Sequence, residues 1–287
     1  MNKIILGSAQ FGSDYGISNS TGKVDESEVI KILKKAHEND ILFIDTAINY
    51  GDSEYVLGNV NKLTFEYITK IPKIPCKIKN IKDWILDRIL ESKEKLKCKS
   101  FYGILLHFPD QLNDKIGLEI SRTLHYLKKK KICKKIGVSI YDFSKIQFYY
   151  KILKFDLIQL PFNVIDNRVL KKNILKFLKE KKVEIHARSI FLQGLLLDKK
   201  NLNKVENSYK FLNEWFNWLD KNNFSPISTC LNYVSKYKEI DKIIIGVQSN
   251  IELQEILDSL HFRKNIVFPK WKSKISKTLI DPSKWKK

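Results

Sequence analysis

Eight short apolar runs recur through this chain, at residues 4–8, 42–47, 67–71, 103–107, 135–139, 157–160, 184–189 and 242–247. Runs of this length suit single strands, and helical patterns separate them. A strand–helix alternation calls for parallel strands joined by crossovers. Eight such repeats predict an α/β fold, a (β/α)8 TIM barrel ringed by helices, with a doubly wound open sheet as the rival. Val29, Ile32, Leu33 and Ala36 make one helical face. Asp25 opens it with Glu28 three residues on, the capping-box spacing. Ile81, Trp84, Ile85 and Ile89 make a second face, and Val169, Leu170, Ile174, Phe177 and Leu178 a third. The chain has 287 residues, and one such barrel takes about 250. No linker-like stretch divides it, so residues 1–287 are expected to form a single domain. Residues 265–287 read as a C-terminal tail with no strand to feed. The segment 201–223 is aromatic-rich and longer than a simple loop, which suits a packing helix or a pocket wall.

Four polar residues stand near the ends of three successive strand-like runs: Asp45, Tyr50, Lys70 and His107. A charged group closing a buried strand is costly unless paired. In a parallel barrel all four converge on the C-terminal mouth, where chemistry is done. Taken singly, each has a plainer reading. Asp52-Ser53-Glu54 suits a helix cap, and His107 suits a packed polar residue. Their joint order carries more weight.

Asp45 and Tyr50 lie in the pattern Asp-Thr-Ala-x-x-Tyr-Gly-x-Ser-Glu, Lys70 follows Thr69, and His107 follows Leu105-Leu106. This set resembles the catalytic tetrad of the aldo-keto reductases, small bacterial members in particular. The resemblance runs from Leu6-Gly7-Ser8 to Gly246-Val247-Gln248-Ser249. It implies an NAD(P)H-dependent oxidoreductase that reduces an aldehyde, ketone or sugar derivative by hydride transfer. Tyr50 is then the general acid. Lys70 lowers the phenol pKa, Asp45 holds Lys70, and His107 donates a hydrogen bond to the carbonyl oxygen. Carbohydrate metabolism is an expected setting, and Asn163 is a candidate to meet a substrate hydroxyl. Arg168 is expected to start its helix or to bridge to Asp166.

No GxGxxG follows a strand, so a Rossmann site is not indicated. The resemblance instead implies a nucleotide across the barrel mouth. It gives cofactor contacts to Gly7, Ser8, Ser139, Gln159, Arg188, Ser189, Gly194, Gly246, Ser249 and Asn250. Ser139 and Gln159 are expected at the carboxamide. Ile140 stands where the family commonly has asparagine, and Arg188 where many members stack a tyrosine on the nicotinamide. The arginine of the usual 2′-phosphate clamp is absent, with Glu252, Leu253 and Gln254 near its place. NADP(H) is still expected over NAD(H), on family membership.

The net charge of +20 raises a polyanion-binding alternative. Only five residues are arginines, however, so lysine carries the charge, and lysine is the default solvated surface cation. No segment interleaves aromatics with arginines, so no specific nucleic-acid partner is expected. A non-catalytic, nucleotide-binding regulatory subunit is a further alternative, which an intact tetrad disfavours. Cys76, Cys98, Cys133 and Cys230 have no paired spacing, which argues against zinc or disulfides and suits a cytoplasmic protein. The apolar run at residues 4–8 is too short for a signal peptide, and no run suits a membrane span.

Overall fold

The computed structural model describes residues 3–206, 208–260, 265–271, 275–276 and 278–285. Its strands are β1 (Ile4–Gly7), β2 (Phe43–Asp45), β3 (Glu66–Ile71), β4 (Phe101–Leu106), β5 (Cys133–Ser139), β6 (Leu157–Pro161), β7 (Glu184–Arg188) and β8 (Lys242–Gly246). They pair in chain order, all parallel, and β8 closes on β1 with Gly7 opposite Gly246. This is the expected TIM barrel, and closure removes the open-sheet rival.

The two-residue period of a strand decides which side chains enter the barrel. Ile5, Ile68, Leu105, Leu157 and Ile244 form a small cluster apart from the main core, and it fills the interior. Two residues further along these strands stand Gly7, Lys70, His107, Gln159 and Gly246. They share the inward face at the C-terminal mouth. Phe43 packs on the same inner cluster and brings Asp45 to that mouth. The larger core lies between the outer strand faces and the helices, where Val29, Ile32, Leu33 and Ala36 are buried as expected.

Two local expectations change. Asp25 is the N-cap of the helix Glu26–Glu38, yet its side chain makes no capping bond. Glu28 instead accepts from the Asn250 amide at 2.7 Å and from Lys31 at 3.1 Å. A second helix start has captured the carboxylate that the local capping box needed. The third helical face is also split. Arg168–Asn173 forms a 3-10 turn and only Ile174–Glu180 is α, with Asn173 at φ +54 between them. The tighter turn rotates Leu170 out of line, and it stays 37% exposed.

The aromatic segment forms the helix Tyr209–Asn222, burying Phe211, Trp215 and Phe216. Trp271 of the tail packs edge-on against Phe211, Trp215 and Trp218, with centroids 5.4–5.7 Å apart. Its indole N–H donates to the Val164 carbonyl, in the loop after β6. The described part of the tail is thereby fastened to the barrel wall, while residues 272–274, 277, 286 and 287 lie outside the described residues. Among the described residues, no helix is long and apolar enough to cross a membrane.

Candidate active site

Lys70 is 1% exposed, and its ammonium meets Asp45 Oδ2 at 2.6 Å. It also donates to the Thr46 carbonyl at 2.8 Å. Gln159 Nε2 donates to Asp45 Oδ1, so both carboxylate oxygens are occupied. Burial alone pulls the Lys70 pKa down, and the adjacent Asp45 opposes that pull. A buried ammonium without such a partner would be costly.

Tyr50 places its hydroxyl 3.4 Å from Lys70 Nζ. Two glycines set its position. Gly51 has φ +54, and a Cβ there would fall 2.2 Å from the Gly12 carbonyl oxygen. A Cβ on Gly12 would fall 1.9 Å from the Tyr50 carbonyl oxygen, so the two backbones abut only because both residues are glycine. Ser53 then donates to the hydroxyl and the carbonyl of Ser8, at 2.7 and 2.9 Å. Glu54 accepts from Thr69 and Ser92, each at 2.7 Å. Neither Ser53 nor Glu54 caps its helix. They brace the tyrosine loop against β1 and β3.

The electrostatics differ from the simple expectation for a phenol beside an ammonium. Removal from water raises the Tyr50 pKa above the ordinary phenol range, and the Asp45 charge raises it further. Arg188 opposes this rise without reversing it, so the phenol rests protonated. His107 packs edge-on to Tyr50, with centroids 5.8 Å apart. Burial, then Lys70 and Arg188, push its pKa down to about 3, so the ring is neutral. His107 Nδ1 pairs with Asn49 Oδ1 at 3.0 Å. With Oδ1 accepting, the ring proton sits on Nδ1 and Nε2 is bare. Donation from Nε2 to a carbonyl requires the Asn49 amide turned over, with Nδ2 donating to Nδ1.

Gln159 is fully buried, and its Oε1 has no hydrogen-bond partner among the described residues. An orphaned acceptor beside the Asp45–Lys70 pair fits an N–H donor such as a carboxamide. Ser139 is its register partner on β5. Arg188 ends β7, donating to the Ile140 carbonyl at 2.8 Å, with its guanidinium 3.9 Å from the Tyr141 ring centroid. Ile140 thus serves Arg188 through its backbone. Ser189, at φ +58, lies within 3.4 Å of the same guanidinium. Gly194, at φ +85, lets the loop after β7 press against Ser18.

Other candidates are committed to the frame. Ser8 is fully buried and donates to the Asp45 carbonyl at 3.0 Å. Gly7 gives close approach to the Ile245 carbonyl, and Gly246 gives room to the Gln10 side chain. Asn163 is 1% exposed, donating to the Ser189 carbonyl while accepting from the Ile165 and Asp166 amides. It builds its loop rather than facing the mouth. Arg168 bridges to Asp166 through two 2.7 Å bonds, as expected. Ser249 caps the helix Asn250–Ser259 by accepting from the Glu252 amide at 3.1 Å. Asn49 and the bracing roles of Ser53 and Glu54 escaped sequence reasoning, since an exposed loop amide carries no distinctive pattern and the triplet reads as a helix cap.

Solved structures share this arrangement of strands. Aldo-keto reductase AKR11C1 from Bacillus halodurans, in its holo form, aligns over 91% of this chain and 87% of its own, with TM-score 0.75 and 18% identity. The glycerol dehydrogenase AKR11B4 of Gluconobacter oxydans aligns over 94% and 95%, with TM-score 0.66 and 18% identity. No curated protein matches in sequence. At such identities the likeness speaks for the fold. A sequence model of the aldo/keto reductase family, however, matches residues 3–268. The chain therefore belongs to the aldo/keto reductase family, a family of NAD(P)H-dependent oxidoreductases.

Proposed function

We propose that this protein reduces a small carbonyl compound at the barrel mouth, with Tyr50 as the general acid. One observation carries the reading. The Tyr50 hydroxyl lies 3.4 Å from a buried ammonium that a carboxylate holds at 2.6 Å. The nicotinamide cofactor supplies a hydride to the carbonyl carbon when bound. Tyr50 gives its proton to the carbonyl oxygen, and Lys70 faces the phenolate that this leaves. Asp45 keeps Lys70 charged and in place. Neutral His107, with the Asn49 amide turned over so that Nε2 carries the ring proton, orients the carbonyl oxygen. Gln159 Oε1 and Ser139 would hold the carboxamide, and Arg188 would flank the ring. The Arg188 charge disfavours an oxidised, cationic nicotinamide, which favours retention of the reduced cofactor and release of the oxidised one.

The substrate class is a small aldehyde, ketone or sugar derivative. A relative that is a glycerol dehydrogenase adds polyol-derived carbonyls to the candidates. Asn163 and Arg168, spent on their own loop, lend nothing to a sugar reading. Residues 1–287 act as one barrel domain, and four free cysteines suit a reducing, cytoplasmic setting. Family membership alone points to NADP(H); the residues at the last helix point elsewhere. The test is cofactor deuterated at C4, incubated with a panel of small aldehydes, ketones and sugars. Deuterium at the new carbinol carbon supports the reading, and no transfer to any of them contradicts it.

A further inference from the structure

We infer that the chain takes NAD(H) in preference to NADP(H), and that Glu28 and Glu252 make the choice. The inference rests on the nicotinamide reading above and specifies which nucleotide the mouth accepts. Barrels of this kind place phosphate at the loops after the last two strands and at the following helix N-terminus. Free amides and the positive helix end make such a corner attractive to anions. In this chain two glutamate carboxylates already occupy amides of that corner. Glu28, reaching across from the helix Glu26–Glu38, accepts from the Asn250 amide at 2.7 Å. Glu252 accepts from the Gln248 amide at 2.7 Å, and Ser249 takes the Glu252 amide. The Asn250 amide and then Lys31 hold the Glu28 carboxyl below its usual range, so it stays ionised, whereas burial raises the Glu252 pKa against the pull of the Gln248 amide.

Carboxylates in such a corner accept hydrogen bonds from ribose hydroxyls and repel a 2′-phosphate. Dinucleotide sites in general follow that rule, an acid reading the 2′-hydroxyl and an arginine taking the 2′-phosphate. No described arginine lies on this loop or helix, and Arg263 falls outside the described residues. The nearby lysines are engaged, Lys31 with Glu28 at 3.1 Å and Lys35 with Gln254 at 2.8 Å. The nicotinamide end gives separate evidence that a ligand belongs in this mouth. There the buried, partnerless Gln159 Oε1 meets what the two nucleotides share. The discrimination therefore falls at the far end, on the carboxylates.

Isothermal titration of the full chain with NADH and with NADPH tests this without a substrate. The expected result is NADH binding about tenfold or more tightly, a gap that narrows as salt screens the repulsion. The double variant Glu28→Gln, Glu252→Gln keeps the accepting oxygens and should bring the two affinities within about threefold by strengthening NADPH. NADPH binding as tightly as NADH in the unaltered protein would overturn the inference and leave the nicotinamide reading standing. An unchanged ratio in the double variant would remove the two glutamates from the choice. Binding of neither nucleotide would overturn both readings together.

Discussion

Glu54 accepts the Thr69 hydroxyl at 2.7 Å, one residue before the lysine of the site, and so ties the tyrosine loop to β3. The same oxygen accepts from Ser92 at 2.7 Å. Burial raises the Glu54 pKa, and these two hydroxyl bonds oppose that rise.

Removing this brace should cost both stability and alignment. Glu54→Ala strands two buried hydroxyls and opens a void, a loss of about 2 kcal/mol or more. Urea unfolding measures it. A midpoint equal to the unaltered protein's would mean the loop holds Tyr50 without Glu54.

The Asp45–Lys70 pair is buried, with side chains 6% and 1% exposed. Breaking one side leaves an uncompensated charge, so Lys70→Met should destabilise by about 3–5 kcal/mol. Adding Asp45→Asn removes the stranded charge, and the double variant should be more stable than Lys70→Met alone. Chemical denaturation of the set decides. A double variant as weak as the sum of the singles would show the two residues to be uncoupled.

His107 supplies a pH dependence with a definite sign. Its folded pKa is about 3, against 6.5 for the free ring. Between those values the unfolded chain binds more protons, so stability is lost as pH falls through that window. His107→Asn removes the titrating ring. From about pH 7 to about pH 5, the unaltered protein should lose more in Tm than the variant, by about 2 °C. Parallel curves would contradict the half-buried, neutral ring.

The barrel was readable because parallel strands buried on both faces leave short apolar runs in sequence, and each run matches an observed strand within a residue or two. Asp45 and Lys70 were readable for the same physical reason, since opposite charges at adjacent strand ends must pair. The remainder depends on three-dimensional surroundings. Glu28 finds its partner in Asn250, 222 residues away, so its local capping spacing misled. Asn163 looked free in a polar loop, but its amide is consumed by backbone. The direction of the Tyr50 pKa follows from desolvation and from the negative charge of Asp45. A motif names those residues without weighing burial against charge.

Comparison of Tyr50→Phe with the unaltered protein tests the central claim most directly, read as reduced-cofactor oxidation and as cofactor affinity. The substitution removes the proton donor and keeps the ring that packs against His107. Turnover is expected to fall by about 10²–10⁴, with the cofactor dissociation constant changed by less than about threefold. Turnover that survives the substitution would contradict Tyr50 as the acid.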